Sequence, residues 1–288
     1  MAPFMDRSHL KTVLEVREWL AALLAQLPSL KQTIDPAAQE RDDQITVRDG
    51  AKIAVKIYSP VEPPSRGSPL YVSIHGGGFC LGNEPPMEAT FCKNLSRELG
   101  FMRVDVDYRM APEHPFPVPV HDCWDAVQWA AKNAAGLKAN PSEGFVVGGT
   151  SAGGNLAAVY KALYQSREQN KDVFISGKKE LDLFFGAYSP DHESGLFSPL
   201  IWPTGHEGLP PTYVCVCGAD PLRDEGLLYE KVLREDAGVP TKLSAFPGLP
   251  HGFWAIFTGM KESRDYHREV MEAVKWMQSL VEPRRQDE

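Results

Sequence analysis

A serine between glycines is the clearest candidate for a chemically reactive residue in this chain. Gly149 and Gly153 flank Ser151 in the pattern Gly-x-Ser-x-Gly, which is typical of a sharp turn from a strand into a helix. Glycines avoid a steric clash in such a turn, and the serine side chain is directed outward. An isolated match of five residues is more often a plain loop, so the surrounding sequence must decide.

Three further features follow predicted strands. The sequence HGGGF (75–79) follows LYVSI, Asp220 ends YVCVCGAD, and His251 follows TKLSAFPG, the last predicted strand. In an open parallel α/β sheet, ligands bind at the carboxyl ends of the strands, so these residues lie where chemistry is expected. The chain order Ser, Asp, His is that of the α/β-hydrolases.

Each of these residue types has a role in acyl transfer. A serine hydroxyl becomes nucleophilic when a neutral imidazole takes its proton, and a carboxylate holds that imidazole in the correct tautomer. The pattern therefore predicts Ser151 as nucleophile, His251 as general base and Asp220 as the partner of the base. Amides of the glycines at 76–78 and of Ala152 are expected to stabilise the negative charge that develops on the substrate oxygen.

Other residues compete for these roles. His267 also lies after Asp220, but the polar run SRDYHREV around it predicts a solvated surface position. Asp224 lies one helical turn beyond Asp220, where it is suited to cap the following helix. His75 has no second ligand at the spacing of a metal site, which predicts support of the glycines beside it and no bound metal.

Composition excludes several classes of partner. The 288 residues carry a formal net charge of −8 and no basic run, so a nucleic acid would be repelled. The five cysteines include no C-x-x-C pair, and no signal peptide is recognised at the N-terminus, which predicts reduced thiols and a cytoplasmic location. No apolar run reaches the length of an ordinary membrane span.

Strand-like and helix-like segments alternate, which predicts a mostly parallel α/β sheet. The dipeptide Asp49-Gly50 predicts a hairpin between two edge strands. Asp122 and Asp125 are expected in the first turn of a helix that Gly136 closes. Helices are predicted at 10–27, 87–99, 122–135, 222–236 and 262–281.

Six motifs carry a resemblance to a known family. The sequences HGGGF, VDYRMAPEHPFPVPVHDCWDAVQW, GGTSAGGN, LPPTYV, GADPLRDEG and PHGF resemble, in this order, signatures of the hormone-sensitive-lipase-like carboxylesterases. The resemblance covers about 45–285. It implies the α/β-hydrolase fold, a central sheet flanked by helices, and hydrolysis of small to medium carboxylic esters without a cofactor.

The resemblance also implies particular residues and regions. It implies Gly77 and Gly78 as oxyanion-hole donors together with Ala152. It further implies an N-terminal helical lid (1–40) and a catalytic domain (41–288). Within that domain we expect a lid-like insertion at about 171–205. The oligomeric state stays open, with a homodimer among the alternatives. The residues that support the two glycine motifs are His75, Gly76, Gly149 and Gly153.

Two departures from the family pattern matter. Thr150 stands where the family commonly has Asp or Glu. The interval from Ala152 to Pro211 is short by about thirty residues, the length of one parallel strand with its crossover helix. The single strand-like run in this interval is DVFIS. If a core strand is missing, the strand that ends at Asp220 must pair directly with the strand before Ser151 or leave a gap.

Three functions from different classes remain open on this basis. The first is a serine carboxylesterase with a small-molecule ester substrate. The second is a non-hydrolytic relative, either a dehydratase or a small-ligand binder. The third is an inactive, truncated relative whose catalytic residue types survive, and the short interval favours it.

Overall fold

The computed structural model describes residues 10–25, 38–82, 94–155, 165–173 and 176–280. The strands are β1 (Ala38–Thr46), β2 (Lys52–Pro60), β3 (Leu70–Ile74), β4 (Met102–Asp107), β5 (Phe145–Gly149), β6 (Thr212–Ala219) and β7 (Thr241–Pro250). The helices are α1 (Val13–Ala25), α2 (94–99), α3 (Val118–Lys132), α4 (Ala152–Asn155), α5 (Gln165–Gln169), α6 (Lys178–Tyr188), α7 (Arg223–Lys231), α8 (Phe253–Ile256) and α9 (Lys261–Leu280).

The larger sheet has five strands in the order β1-β2-β4-β3-β5. Strands β1 and β2 form the antiparallel hairpin predicted around Asp49-Gly50, and β3 runs parallel to both β4 and β5. Every residue of β3 is buried, as expected for a strand covered on both faces. Apolar side chains of β2, β3 and β4 pack against α3 to form the main core.

A second, separate sheet contains β6 and β7, which pair in parallel. No described strand lies between β5 and β6, and the described residues of DVFIS form none. Residues 174 and 175 of that run lie outside the described residues. Of the two alternatives for a missing strand, the described residues show the gap, since β5 and β6 do not pair.

The gap leaves two strand edges without partners in the described part of the chain. The Gly144 carbonyl accepts a bond from the Leu70 amide of β3, and the Thr150 amide donates to the Ile74 carbonyl of β3. Because backbone groups alternate sides along a strand, the amides and carbonyls of Phe145 and Val147 face away from β3. The same alternation on β6 directs those of Tyr213 towards the gap.

Helix α9 connects the two sheets. It contacts β6 and β7, and its Met271 and Val274 pack with Tyr71 of β3 and with Phe101 in one apolar cluster. The two sheets are therefore held together by side-chain packing across this helix, in addition to the chain connections.

The boundaries of α3 correct one prediction. The helix begins at Val118, before the predicted start at 122, because prolines fit the first turn of a helix, where amides lack partners anyway. Asp122 and Asp125 therefore lie beyond the first turn, and the expected interaction with the helix dipole is wrong. They bind Arg109 and Arg48, respectively.

The other predicted helices match within the described residues. Helix α7 continues as a π-helix over Val232–Asp236, and α1, α7 and α9 begin within three residues of the predicted starts. The predicted helix at 87–99 is described only at 94–99. Within the described ranges, no helix has the length and apolar character needed to cross a lipid bilayer.

Candidate active site

The serine lies in a strained turn at the end of β5. Ser151 has a φ of 56°, a left-handed conformation that is uncommon for a residue with a side chain. The turn has no room for larger neighbours. A Cβ at position 149 would lie 2.5 Å from the Gly153 carbonyl oxygen, and one at position 153 would lie 2.2 Å from the Ile74 oxygen. Steric crowding thus accounts for both flanking glycines.

The three predicted catalytic side chains form one hydrogen-bonded row. Ser151 Oγ lies 2.7 Å from His251 Nε2, and His251 Nδ1 lies 2.6 Å from Asp220 Oδ2. The other Asp220 oxygen accepts a bond from the Leu222 amide at 2.8 Å, which orients the carboxylate. Ser151 follows the larger sheet, whereas Asp220 and His251 follow the smaller one, so the row spans the two sheets.

The environment of His251 favours proton uptake. Burial lowers the pKa of the imidazole, but the negative charge of Asp220 and its hydrogen bond raise it more, and the net pKa is above the ordinary value. An imidazole held by a carboxylate on one nitrogen and facing a hydroxyl on the other is arranged to take the hydroxyl proton.

A loop rich in glycine lies beside the serine. The glycine loop (75–82) follows β3, and the Gly77 carbonyl accepts bonds from the amides of Cys80 and Leu81 at 3.1 and 2.8 Å. Within the described residues, no acceptor occupies the amides of Gly77, Gly78 or Ala152.

His75 supports the base of this loop. Its Nδ1 lies 2.6 Å from the Gly76 carbonyl oxygen, and its ring stacks on Tyr108 at 4.2 Å between centroids. The Tyr108 hydroxyl donates to the His75 carbonyl at 3.1 Å. Burial lowers the pKa of His75, which favours the neutral ring. In the described part of the chain, no group of three or more potential ligands is arranged for a metal ion.

The two competing residues lie outside the hydrogen-bonded row. Asp224 accepts bonds from the Ser166 amide at 2.8 Å and from Arg223 at 2.9 Å, so it caps α5 rather than its own helix. His267 is half-buried, and burial lowers its pKa. Its predicted solvated position is wrong because α9 turns this side chain towards the gap, where it lines a cavity.

A cavity of about 660 Å³ joins the serine to the gap between the sheets. Ser151 and His251 line one part of it, and Val147 and Tyr213 line the part between β5 and β6. Glu225 also lines it, and burial raises the pKa of this carboxyl to about 7 although Arg167 opposes the shift. The cavity is mainly apolar, which suits an organic ester.

Two structural neighbours of the glycine loop carry no sequence motif. Phe184 of α6 lies against Gly78, where a Cβ would approach its ring to 2.5 Å. Arg17 of α1 donates to the Cys80 carbonyl at 2.7 Å. The sequence carries no local signal for these contacts, because each of them joins residues far apart along the chain.

Comparison with known proteins identifies the same architecture. A family model described as alpha/beta hydrolase fold matches residues 71–177 and 161–255. The two matches overlap after α4, in the interval that lacks a described strand. The family match is thus made in two parts, which meet in this interval.

The similarity to individual proteins covers most of the chain. AB hydrolase superfamily protein B1A11.02 from Schizosaccharomyces pombe is 34% identical, covering 88% of this chain and 84% of the relative. Carboxylesterase NlhH from Mycobacterium tuberculosis is 33% identical, with 80% of each chain covered. The crystal structure of vibralactone cyclase superposes with a TM-score of 0.84 at 30% identity, covering 96% of this chain and 92% of that one.

Proposed function

Because the chain belongs to the hormone-sensitive-lipase-like carboxylesterases of the α/β-hydrolase fold, we propose that it hydrolyses carboxylic esters through Ser151, His251 and Asp220. The hydrogen-bonded row from the Ser151 hydroxyl through His251 to the Asp220 carboxylate carries this proposal. The substrate class is a small to medium ester, since the cavity at the serine is mainly apolar.

The proposed reaction has two steps. His251 Nε2 takes the Ser151 proton as Oγ bonds to the ester carbonyl carbon, and the imidazolium then protonates the departing alcohol, leaving an acyl-serine. Water next attacks the acyl carbon while His251 takes its proton. The Ser151 oxygen leaves, recovers a proton from His251, and the carboxylic acid is released.

Backbone amides and Asp220 stabilise the charges in both steps. The amides of Gly77, Gly78 and Ala152 donate to the oxygen that becomes negative in each tetrahedral intermediate. The Asp220 carboxylate accepts a hydrogen bond from the Nδ1–H group of His251 and stabilises the imidazolium, without taking its proton. Every step uses groups of this chain and water, so the proposal needs no cofactor.

We also propose a lid for this site. Val13 and Val16 of α1 pack in one apolar cluster with Phe79 of the glycine loop and with Phe184 and Tyr188 of α6. This packing supports the assignment of 1–40 and 171–205 as lid segments over a catalytic domain at 41–288. The cytoplasmic location, the homodimer and the exclusion of nucleic acid stay predictions.

The division of the sheet favours a second candidate, a weakly active relative. Catalysis loses about a hundredfold when a reacting group is misplaced by about 1 Å. The serine and its base lie on sheets that share no described backbone hydrogen bond. Small displacements between these sheets would change the distance between Ser151 and His251 directly.

A fluorophosphonate probe tests the proposal without a guess about the substrate. We expect one probe molecule per chain on Ser151, and hydrolysis of a short-chain aryl ester that falls by at least about four decades in Ser151→Ala. Ser68→Ala is a matched control, since this serine is buried and does not line the cavity. Unchanged hydrolysis by Ser151→Ala would refute the proposed nucleophile. Stoichiometric labelling with slow hydrolysis would favour the weakly active relative.

A further inference from the structure

One arginine of the N-terminal helix reaches two buried carbonyl groups. Arg17 Nε donates to the Cys80 oxygen and Nη2 to the Ala111 oxygen, both at 2.7 Å. Cys80 and Ala111 are 0% exposed. The same guanidinium donates to both oxygens of Glu113 at 2.7 and 3.0 Å, so its orientation is fixed from the solvent side.

Both carbonyls belong to residues that hold the glycine loop. The Cys80 amide donates to the Gly77 carbonyl at 3.1 Å, and the Ala111 amide donates to the Phe79 carbonyl at 3.0 Å. Arg17 therefore bonds to one carbonyl within the turn 77–81, that of Cys80, and to the carbonyl of Ala111, a residue that bonds to this turn. The amides of Gly77 and Gly78 belong to the same turn.

We propose that Arg17 is a positioning residue that holds the amides of Gly77 and Gly78 in place for the oxyanion. This inference rests on the proposed function. Arg17 acts through its planar set of donors and not through its charge, because the Glu113 carboxylate neutralises that charge at close range. A lysine ammonium is a single point of charge and cannot bond at the same time to the two carbonyls and to both oxygens of Glu113.

Substitution of Arg17 tests this role. We expect Arg17→Gln to lower kcat by about tenfold to a hundredfold, since a displacement of the donors by about 1 Å costs about that much. We expect KM to change by less than about threefold, because the donors act mainly on the charge of the transition state. Arg17→Lys should lose nearly as much kcat as Arg17→Gln.

Arg48→Gln is the matched control. Arg48 also donates to both oxygens of one carboxylate, Asp125, at 2.8 to 3.1 Å, but it lies beside the β1–β2 hairpin. We expect its kcat to equal that of the unmodified protein. An unchanged kcat in Arg17→Gln would overturn the inference, and so would full recovery in Arg17→Lys.

Hydrogen–deuterium exchange separates this inference from the proposed function. We expect faster exchange of the amides at 76–82 in Arg17→Gln than in Arg48→Gln, and equal rates there would overturn the inference. If the unmodified protein neither hydrolyses esters nor reacts with the fluorophosphonate, the proposed function fails, while exchange still tests Arg17. If Arg17→Gln does not fold, Glu113→Gln replaces it, with faster exchange at 76–82 as the supporting result and unchanged exchange as the contrary one.

Discussion

Replacing Asp220 by Asn tests the proposed catalytic row at its least exposed member. The side chain keeps its size but loses its negative charge, and its contact with His251 Nδ1 at 2.6 Å changes from an ionic to a neutral one. An amide can also present its NH₂ group to that nitrogen, which favours the wrong imidazole tautomer.

The expected loss follows from this contact. In the transition state His251 carries a positive charge, and two opposite unit charges about 4 Å apart attract each other by about 4 kcal/mol at an effective dielectric constant of about 20. One factor of ten corresponds to about 1.4 kcal/mol, so the charge alone accounts for about three decades in rate. The tautomer effect adds to this, and we expect kcat to fall by about three to four decades.

The assay compares Asp220→Asn with Asp224→Asn on one aryl ester. Asp224 binds the Ser166 amide and Arg223, so its substitution should lower the thermal midpoint while leaving kcat within about threefold. Residual activity in Asp220→Asn should extend to lower pH, because Asp220 raises the pKa of His251. Full activity in Asp220→Asn together with a large loss in Asp224→Asn would refute the reasoning and move the carboxylate role to Asp224.

Two further predictions concern pH and the open strand edge. Activity should fall at acid pH with a midpoint above the ordinary imidazole value of about 6.5, because the neutral ring is the base and Asp220 raises its pKa; a kcat/KM profile without this acid limb contradicts the assignment. Val147→Lys should reduce self-association measured by light scattering, because a charge on a strand edge that has no partner among the described residues opposes pairing between molecules. The control is Val61→Lys, since Val61 and Val147 are 47% and 49% exposed; an equal effect of both would assign self-association to another surface.

Local sequence signals predicted the elements of this fold well. The Asp49-Gly50 turn and the glycines around Ser151 are dictated by backbone geometry within a few residues, so the hairpin and the strand-to-helix turn were recognisable. The positions of Asp220 and His251 followed from the strand ends, and the structure brings both to Ser151. Their catalytic roles stay predictions.

Long-range partners were not recognisable in the same way. Asp122 looked like a helix-terminal carboxylate, but Arg109 is the partner that fixes it. His267 lies in a polar run, and its burial depends on how α9 packs across the two sheets. Neither the Asp122–Arg109 contact nor the burial of His267 can be predicted from the neighbouring residues in the sequence, since both depend on the final arrangement of separate elements.

The divided sheet has a consequence for how this protein loses its structure on heating. Strands within one sheet share a continuous ladder of hydrogen bonds and tend to open as one cooperative unit. In the described part of the chain, the smaller unit of β6, β7 and α7 shares no ladder with the five-stranded sheet, and α9 packs against both. Partial opening of that smaller unit would carry His251 and Asp220 away from Ser151 while the five-stranded sheet stays folded. The temperature at which Ser151 loses contact with His251 would then lie below the temperature of global melting. Loss of activity on heating would therefore measure the opening of the unit of β6, β7 and α7.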